Sequence, residues 1–171
     1  MQRTPWIERK FNFDFPEGWI YNIMERLRGT SVRLKNISEQ LNHNQLTRKK
    51  GKAWSIQEHI GHLLDLEALH EGRFDDFLER KKVLRAADMS NAKTEAAHHN
   101  NADITRLLND FEQSRNCFIS RLKALDDDTQ RFQSLHPRLQ IMMRPVDMAY
   151  FTSEHDDHHL ASIRMLIENT K

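Results

Sequence analysis

The sequence predicts an all-α protein: a four-helix bundle with a long connection between its second and third helices. Three observations lead there. Only five glycines and four prolines occur in 171 residues, and strand-like alternation is scarce. Four stretches carry apolar residues at helical spacing. A polar run of the kind that allows a crossover separates the middle two. The length suits one domain, residues 1–171, with a sizeable core.

The first helix is expected from about Glu17 to Leu41, with Trp19, Ile20, Ile23, Met24, Leu27, Leu34 and Ile37 in its apolar set. Gly29 weakens it locally. The second starts at Ser55 and is expected to reach the region of Leu84. Its opening "SIQE" is a capping box, in which Ser55 and Glu58 each satisfy the other's backbone N–H. The third runs from about Asp103, a suitable N-cap, to Leu125, with Ile104, Leu107, Phe111, Phe118 and Leu122 on one side. Cys117 lies in this helix and is read as a buried, inert thiol. The fourth starts at Pro145, a residue suited to a first helical position, and continues to about Ile167. Residues 86–102 form the long connection, and 130–143 are read as irregular with room for a short extended piece.

Charged residues make up 30% and hydrophobic ones 38%, with a net charge of +1. That balance gives no argument for nucleic acid or anionic lipid. No apolar run approaches the ~20 residues of a membrane span. The start of the chain has no signal-peptide core. A single cysteine excludes an internal disulfide. The expected location is the cytoplasm, and the expected partner a small molecule.

The chemistry is concentrated in "FTSEHDDHHLASI", residues 151–163. A helix turns about 100° per residue, so His155 and His159 stack on one face while His158 points away. Asp156 and Asp157 are expected to look toward water or a neighbouring helix. Two neutral imidazoles at i, i+4 can share a metal ion, and a third ligand must then come from elsewhere. The second helix offers His59, His62 and His70. Its apolar centre lies nearer His59 and His70, with His62 on the flank. Asp65 and Glu58, one turn either side of His62, are candidates to orient a ring. Thr152 and Ser162 are candidates to line a pocket. His98 and His99 are read as solvated, His43 and His136 as loop residues, and Trp54 as a buried anchor for the second helix.

Together "WSIQEHIGHLLDLE" (Trp54–Glu67) and "MRPVDMAYFTSEHDDHHLASI" (Met143–Ile163) resemble the two signature regions of the DinB-like (DinB/YfiT) superfamily. The resemblance implies an up-down-down-up four-helix bundle, commonly a homodimer. It also implies a divalent metal, nickel or zinc, held by three histidines. By position these are His62, ahead of Leu-x-Asp, with His155 and His159; His59 remains the competitor. Relatives include transferases and an isomerase that use low-molecular-weight thiols such as bacillithiol or mycothiol, and metal-dependent hydrolases. The implied function is thus a divalent-metal-dependent thiol S-transferase or hydrolase acting on a small electrophile. The alternative is a non-catalytic metal- or ligand-binding bundle with a stress or sensor role. Many relatives follow the last histidine with Arg-Gly-Gln; this chain has Leu160–Ser162, which leaves the substrate open.

Overall fold

Seven α-helices are present among the described residues, 3–168, of the computed structural model. They are α1 (Ile20–Ser38), α2 (His43–Thr47), α3 (Ile56–Leu78), α4 (Ala92–Ala97), α5 (Ile104–Lys123), α6 (Asp127–Arg131) and α7 (Pro145–Glu168). The long helices α1, α3, α5 and α7 form the bundle. Strands β1 (Ser134–Leu135) and β2 (Met142–Met143) pair antiparallel in the segment read as irregular. No helix among these residues is long and apolar enough to cross a membrane.

The local signals explain most boundaries. Both arms of the Ser55–Glu58 capping box are made, at 3.1 and 2.8 Å. The Asp103 side chain accepts from the Arg106 N–H and starts α5. Asp147 accepts from the Arg144 N–H at the start of α7. The second long helix departs from expectation, ending at Leu78 instead of near Leu84. Arg80 takes a positive φ of 56°, and the Asp76 carboxylate receives the Arg85 backbone N–H at 2.8 Å. That bond pulls the chain back on itself, so periodicity beyond Leu78 is not helical.

Each long helix packs against two others, α1 on α5 and α7, and α3 on α5 and α7. Helix directions follow from which residues meet. Arg26 meets Glu154 and Arg33 meets Asp157, so α1 and α7 run parallel. Glu67 meets Arg115 and Asp75 meets Arg121, so α3 and α5 run parallel. His62 lies by His159, and Arg73 by Met148, so α3 and α7 are antiparallel. The order is up-down-down-up. Two consecutive helices running the same way require a return path, which residues 79–103 supply.

The core divides along the bundle. Leu27, Phe74, Phe118 and Ala149 fill one end, and Leu34, Ile60, Phe111 and Ile163 the other. Burying each of the large side chains contributes about 1.5–3 kcal/mol. A third cluster, including Phe77, Met143 and Phe151, is joined by Trp6, Phe11 and Phe13 from the N-terminal segment. Cys117 is exposed, contrary to expectation. It lies on the face of α5 away from Arg115, Phe118 and Ile119, and helical position overrides the residue's general preference for burial.

Candidate metal centre

Antiparallel packing of α3 on α7 brings together histidines about a hundred residues apart. One ring nitrogen from each of His62, His155 and His159 lies within 4.8 Å of the others. The three residues are 5, 8 and 6% exposed. The Nε2 atoms of His155 and His159 are 3.1 Å apart. That is close to the ~3.3 Å separating two donors of a tetrahedral ion with Zn–N bonds of about 2.05 Å. His59 stands behind His159, with the two Nδ1 atoms 2.8 Å apart. His70 is buried beside Glu67, its Nδ1 at 3.2 Å from the carboxylate.

The hydrogen bonds around His62 fix its tautomer. Thr94 Oγ1 donates its one proton to Asp65 Oδ2 at 2.9 Å. The same hydroxyl is 3.1 Å from His62 Nδ1 and has no second proton to give. His62 Nδ1 must therefore carry the hydrogen and donate it, which leaves a lone pair on Nε2. A metal ligand needs that form, and metal-bound imidazoles use their other nitrogen in this way. Asp65 also receives His99 Nε2 at 2.8 Å. Burial would raise its pKa, but His99 and Thr94 outweigh that and lower it, so it stays ionised.

This arrangement corrects two expectations. His99 is buried, not solvated; its ring fits against α3 because Gly61 has no side chain. A Cβ at Gly61 would lie 2.2 Å from that ring. Trp54 is half-buried and faces the histidines instead of the core. Its ring is 4.7 Å from that of His62, and its Nε1–H donates to Glu95 at 2.7 Å. Of the two acids flanking His62, Glu58 is engaged by Ser55 and Lys49, while Asp65 reaches His62 through Thr94. Thr152 donates back to the Met148 carbonyl, and Ser162 accepts from Arg3; neither lines the cavity.

Of the other members of the histidine-rich run, Asp156 and Asp157 face neighbouring helices, whereas the His158 ring lies on the cavity wall, 5.6 Å from Trp6 and 5.4 Å from His159, and so does not point away as expected. Asp156 is fully buried, where it accepts from Thr30 at 2.8 Å and pairs with Arg115. Asp157 meets Arg26 and Arg33. The His158 backbone carbonyl accepts from Arg3 at 2.9 Å.

The site is held neutral. Burial pushes His62 and His59 down to about 4, and neighbouring histidines add to the effect. Burial likewise holds His155 and His159 well below the usual imidazole range. All four rings are uncharged at neutral pH, the state that can donate a lone pair to a cation. Three neutral nitrogen donors with one tautomer fixed are a fit for a divalent transition metal. The three rings open on a cavity of about 470 Å³, whose wall includes Trp6, Trp54 and Phe151. That volume suits a small molecule.

The DinB superfamily pattern matches residues 26–163. No curated protein is similar enough to match. Among solved structures, the fold resembles YfiT from Bacillus subtilis, described as a probable metal-dependent hydrolase with an unusual four-helix bundle topology. The TM-score is 0.82 at 20% identity, over 95% of this chain and 94% of that one. The mycothiol-dependent maleylpyruvate isomerase gives 0.66 at 11% identity, over 86% of this chain and 60% of that one. At such identities the likeness to both is one of fold. The family match spans most of the sequence, as the two histidine motifs led us to expect: this chain belongs to the DinB superfamily.

Proposed function

We propose that His62, His155 and His159 hold one divalent transition metal, nickel or zinc, in an enzyme acting on a small electrophilic substrate. The reaction is thiol S-transfer, with a low-molecular-weight thiol as cosubstrate, or hydrolysis. The observation carrying this reading is the triangle of buried, neutral nitrogens at the head of a cavity sized for a small molecule. Neutral imidazole suits both metals. Held there, a divalent ion supplies Lewis acidity and lowers the pKa of a water or thiol to the range where it is a nucleophile at neutral pH.

The chain's own residues do the rest. Thr94, backed by Asp65, keeps the His62 proton on Nδ1. His59 accepts or returns the proton of His159 Nδ1. Trp6 and Trp54 cover the histidines from two sides, at 4.9 Å from His155 and 4.7 Å from His62, and exclude bulk water.

Elemental analysis of protein purified without a histidine tag tests the reading. About one nickel or zinc per chain is expected. His62→Ala, His155→Ala and His159→Ala should each abolish occupancy, and His158→Ala should spare it. If His59→Ala strips the metal while His62→Ala does not, the ligand set is wrong.

A further inference from the structure

Below the three histidines the cavity wall carries three further donor side chains, Arg73, Arg138 and His136. Arg73, only 3% exposed, gives Nε to the Arg85 carbonyl at 3.2 Å and Nη1 to the Met148 thioether at 3.7 Å, a weak acceptor. Arg138 lies over the rings of Trp6 and Phe151, at 5.9 and 5.7 Å, and its Nη2 is buried with no acceptor. Neither guanidinium forms an ion pair among the described residues, although the Asp76 carboxylate, itself paired with Arg85, favours the charged form of Arg73 from a distance. His136 is 2% exposed, and its Nδ1 accepts the Leu139 N–H at 3.2 Å. Its proton must then sit on Nε2, which is also buried without a partner. Asp88, the one acidic residue on this wall, is turned to the backbone of Ser90 and Ala92.

Buried donors without acceptors are costly, charged ones most of all. Burial lowers Arg73 to about 10 and His136 to about 3, so both show the strain of desolvation, yet Arg73 remains charged at neutral pH. On this wall Arg138 Nη2 and His136 Nε2 have no acceptor, and Arg73 has only a carbonyl and a thioether. A guanidinium fork matches the paired oxygens of a carboxylate or phosphate. Trp6 connects this wall to the metal centre, since its ring touches both His155 and Arg138.

We propose that Arg73, Arg138 and His136 Nε2 form an oxyanion subsite that holds a carboxylate or phosphate group of the substrate while its reactive part lies at the three histidines. This deepens the small-molecule reading of the site, but the subsite itself needs no metal.

The test is therefore made on metal-free protein, by calorimetric titration with benzoate, phenyl phosphate and neutral benzamide. At least one anion should bind about tenfold or more tightly than benzamide. Arg138→Met should weaken that anion by about tenfold and leave benzamide unchanged, and Arg138→Lys should recover part of the loss. Arg28→Met, on the exposed face of α1, should change nothing. Preference for benzoate assigns a carboxylate, and preference for phenyl phosphate a phosphate. Because Arg73 is buried, Arg73→Met is read only alongside a melting curve; in folded protein it should behave as Arg138→Met does. Equal binding of anions and benzamide, no binding of either anion, or full affinity in Arg138→Met would each overturn the subsite. Anion binding without metal occupancy would leave the subsite standing and remove the metal reading; metal occupancy without anion binding would do the reverse.

Discussion

Two buried arginines sit within the same bundle and are treated in opposite ways. Arg115, fully buried at the centre, faces Glu67 at 2.7 Å and Asp156, and Asp156 also receives Thr30. Every helix of the bundle contributes to that cluster. Arg73, almost as buried, has a backbone carbonyl and a thioether. The difference separates scaffold from site. A charge whose carboxylate partners come from the fold locks helices together, whereas one given no carboxylate in contact is poised for an anion from outside. Helix α7 serves both regions from adjacent positions, turning Asp156 to the first and His155 to the cavity.

The strongest way to break this contrast is Arg115→Met. It leaves two carboxylates buried without a cation, and a loss of about 3–5 kcal/mol is expected in urea unfolding. Adding Glu67→Gln and Asp156→Asn should restore most of it, because the neutral trio carries no stranded charge. A loss below about 1 kcal/mol in Arg115→Met would make the centre as tolerant as the cavity wall, and the distinction would fail.

Acid should separate the regions with a somewhat smaller effect. At the centre, burial acts to raise Glu67, but Arg115 and His70 prevail and bring it to about 2 from 4.5. Its stabilising contribution is complete above pH 4.5 and is lost only as pH falls toward 2. In the cavity, burial lowers His62 from 6.5 to about 4. Above 6.5 neither folded nor unfolded chain is protonated there, so no penalty exists. Between 6.5 and 4 the unfolded chain takes up a proton that the folded one refuses, and stability falls. From pH 6.5 to 4.5 the histidines act alone, and His62 contributes at most about 3 kcal/mol. Metal-free protein should therefore lose stability steadily across that window. A flat urea midpoint there would show that the rings are not held neutral by burial.

Much of this was legible in the sequence, and the gaps have physical causes. The four long helices follow from apolar spacing, from caps at Ser55 and Asp103, and from Pro145 at a first helical position. The grouping of His155 with His159 follows from the helical repeat. Periodicity placed His62 on the flank of α3, and that flank faces the cavity because α7 packs beside it. Such inter-helix placement is tertiary information. Arg115 escaped notice although it falls on the apolar stripe of Phe111, Phe118 and Leu122. A charge in that register is itself a sign of buried acidic partners. His99 was read as solvated because its segment is polar. Its signal lay on the other strand of the contact, in Gly61: a glycine inside a well-formed helix costs about 1 kcal/mol relative to alanine, so something must approach closely there. Arg73, Arg138 and His136 carry no shared motif; the packing of the β1–β2 connection beside α3 brings them to one wall only in three dimensions.

The finest test lies at Thr94, where a neutral hydroxyl joins the Asp65 carboxylate to the His62 ring. Thr94→Val keeps the shape and removes the oxygen. His62 Nδ1–H then loses its acceptor, and the proton is free to move to Nε2, the nitrogen that the metal requires. Asp65 keeps His99, so the return path should stay docked and the fold should lose only about 1 kcal/mol. Metal affinity should fall by about tenfold, the usual scale for removing an outer hydrogen-bond partner from a liganding histidine. Thr94→Ser retains the oxygen and should bind metal as the parent does. Competition against a chelator of known affinity reads the difference directly. Equal affinity in Thr94→Val and Thr94→Ser would mean that the metal selects the tautomer unaided, and that the docked connection serves the scaffold and not the site.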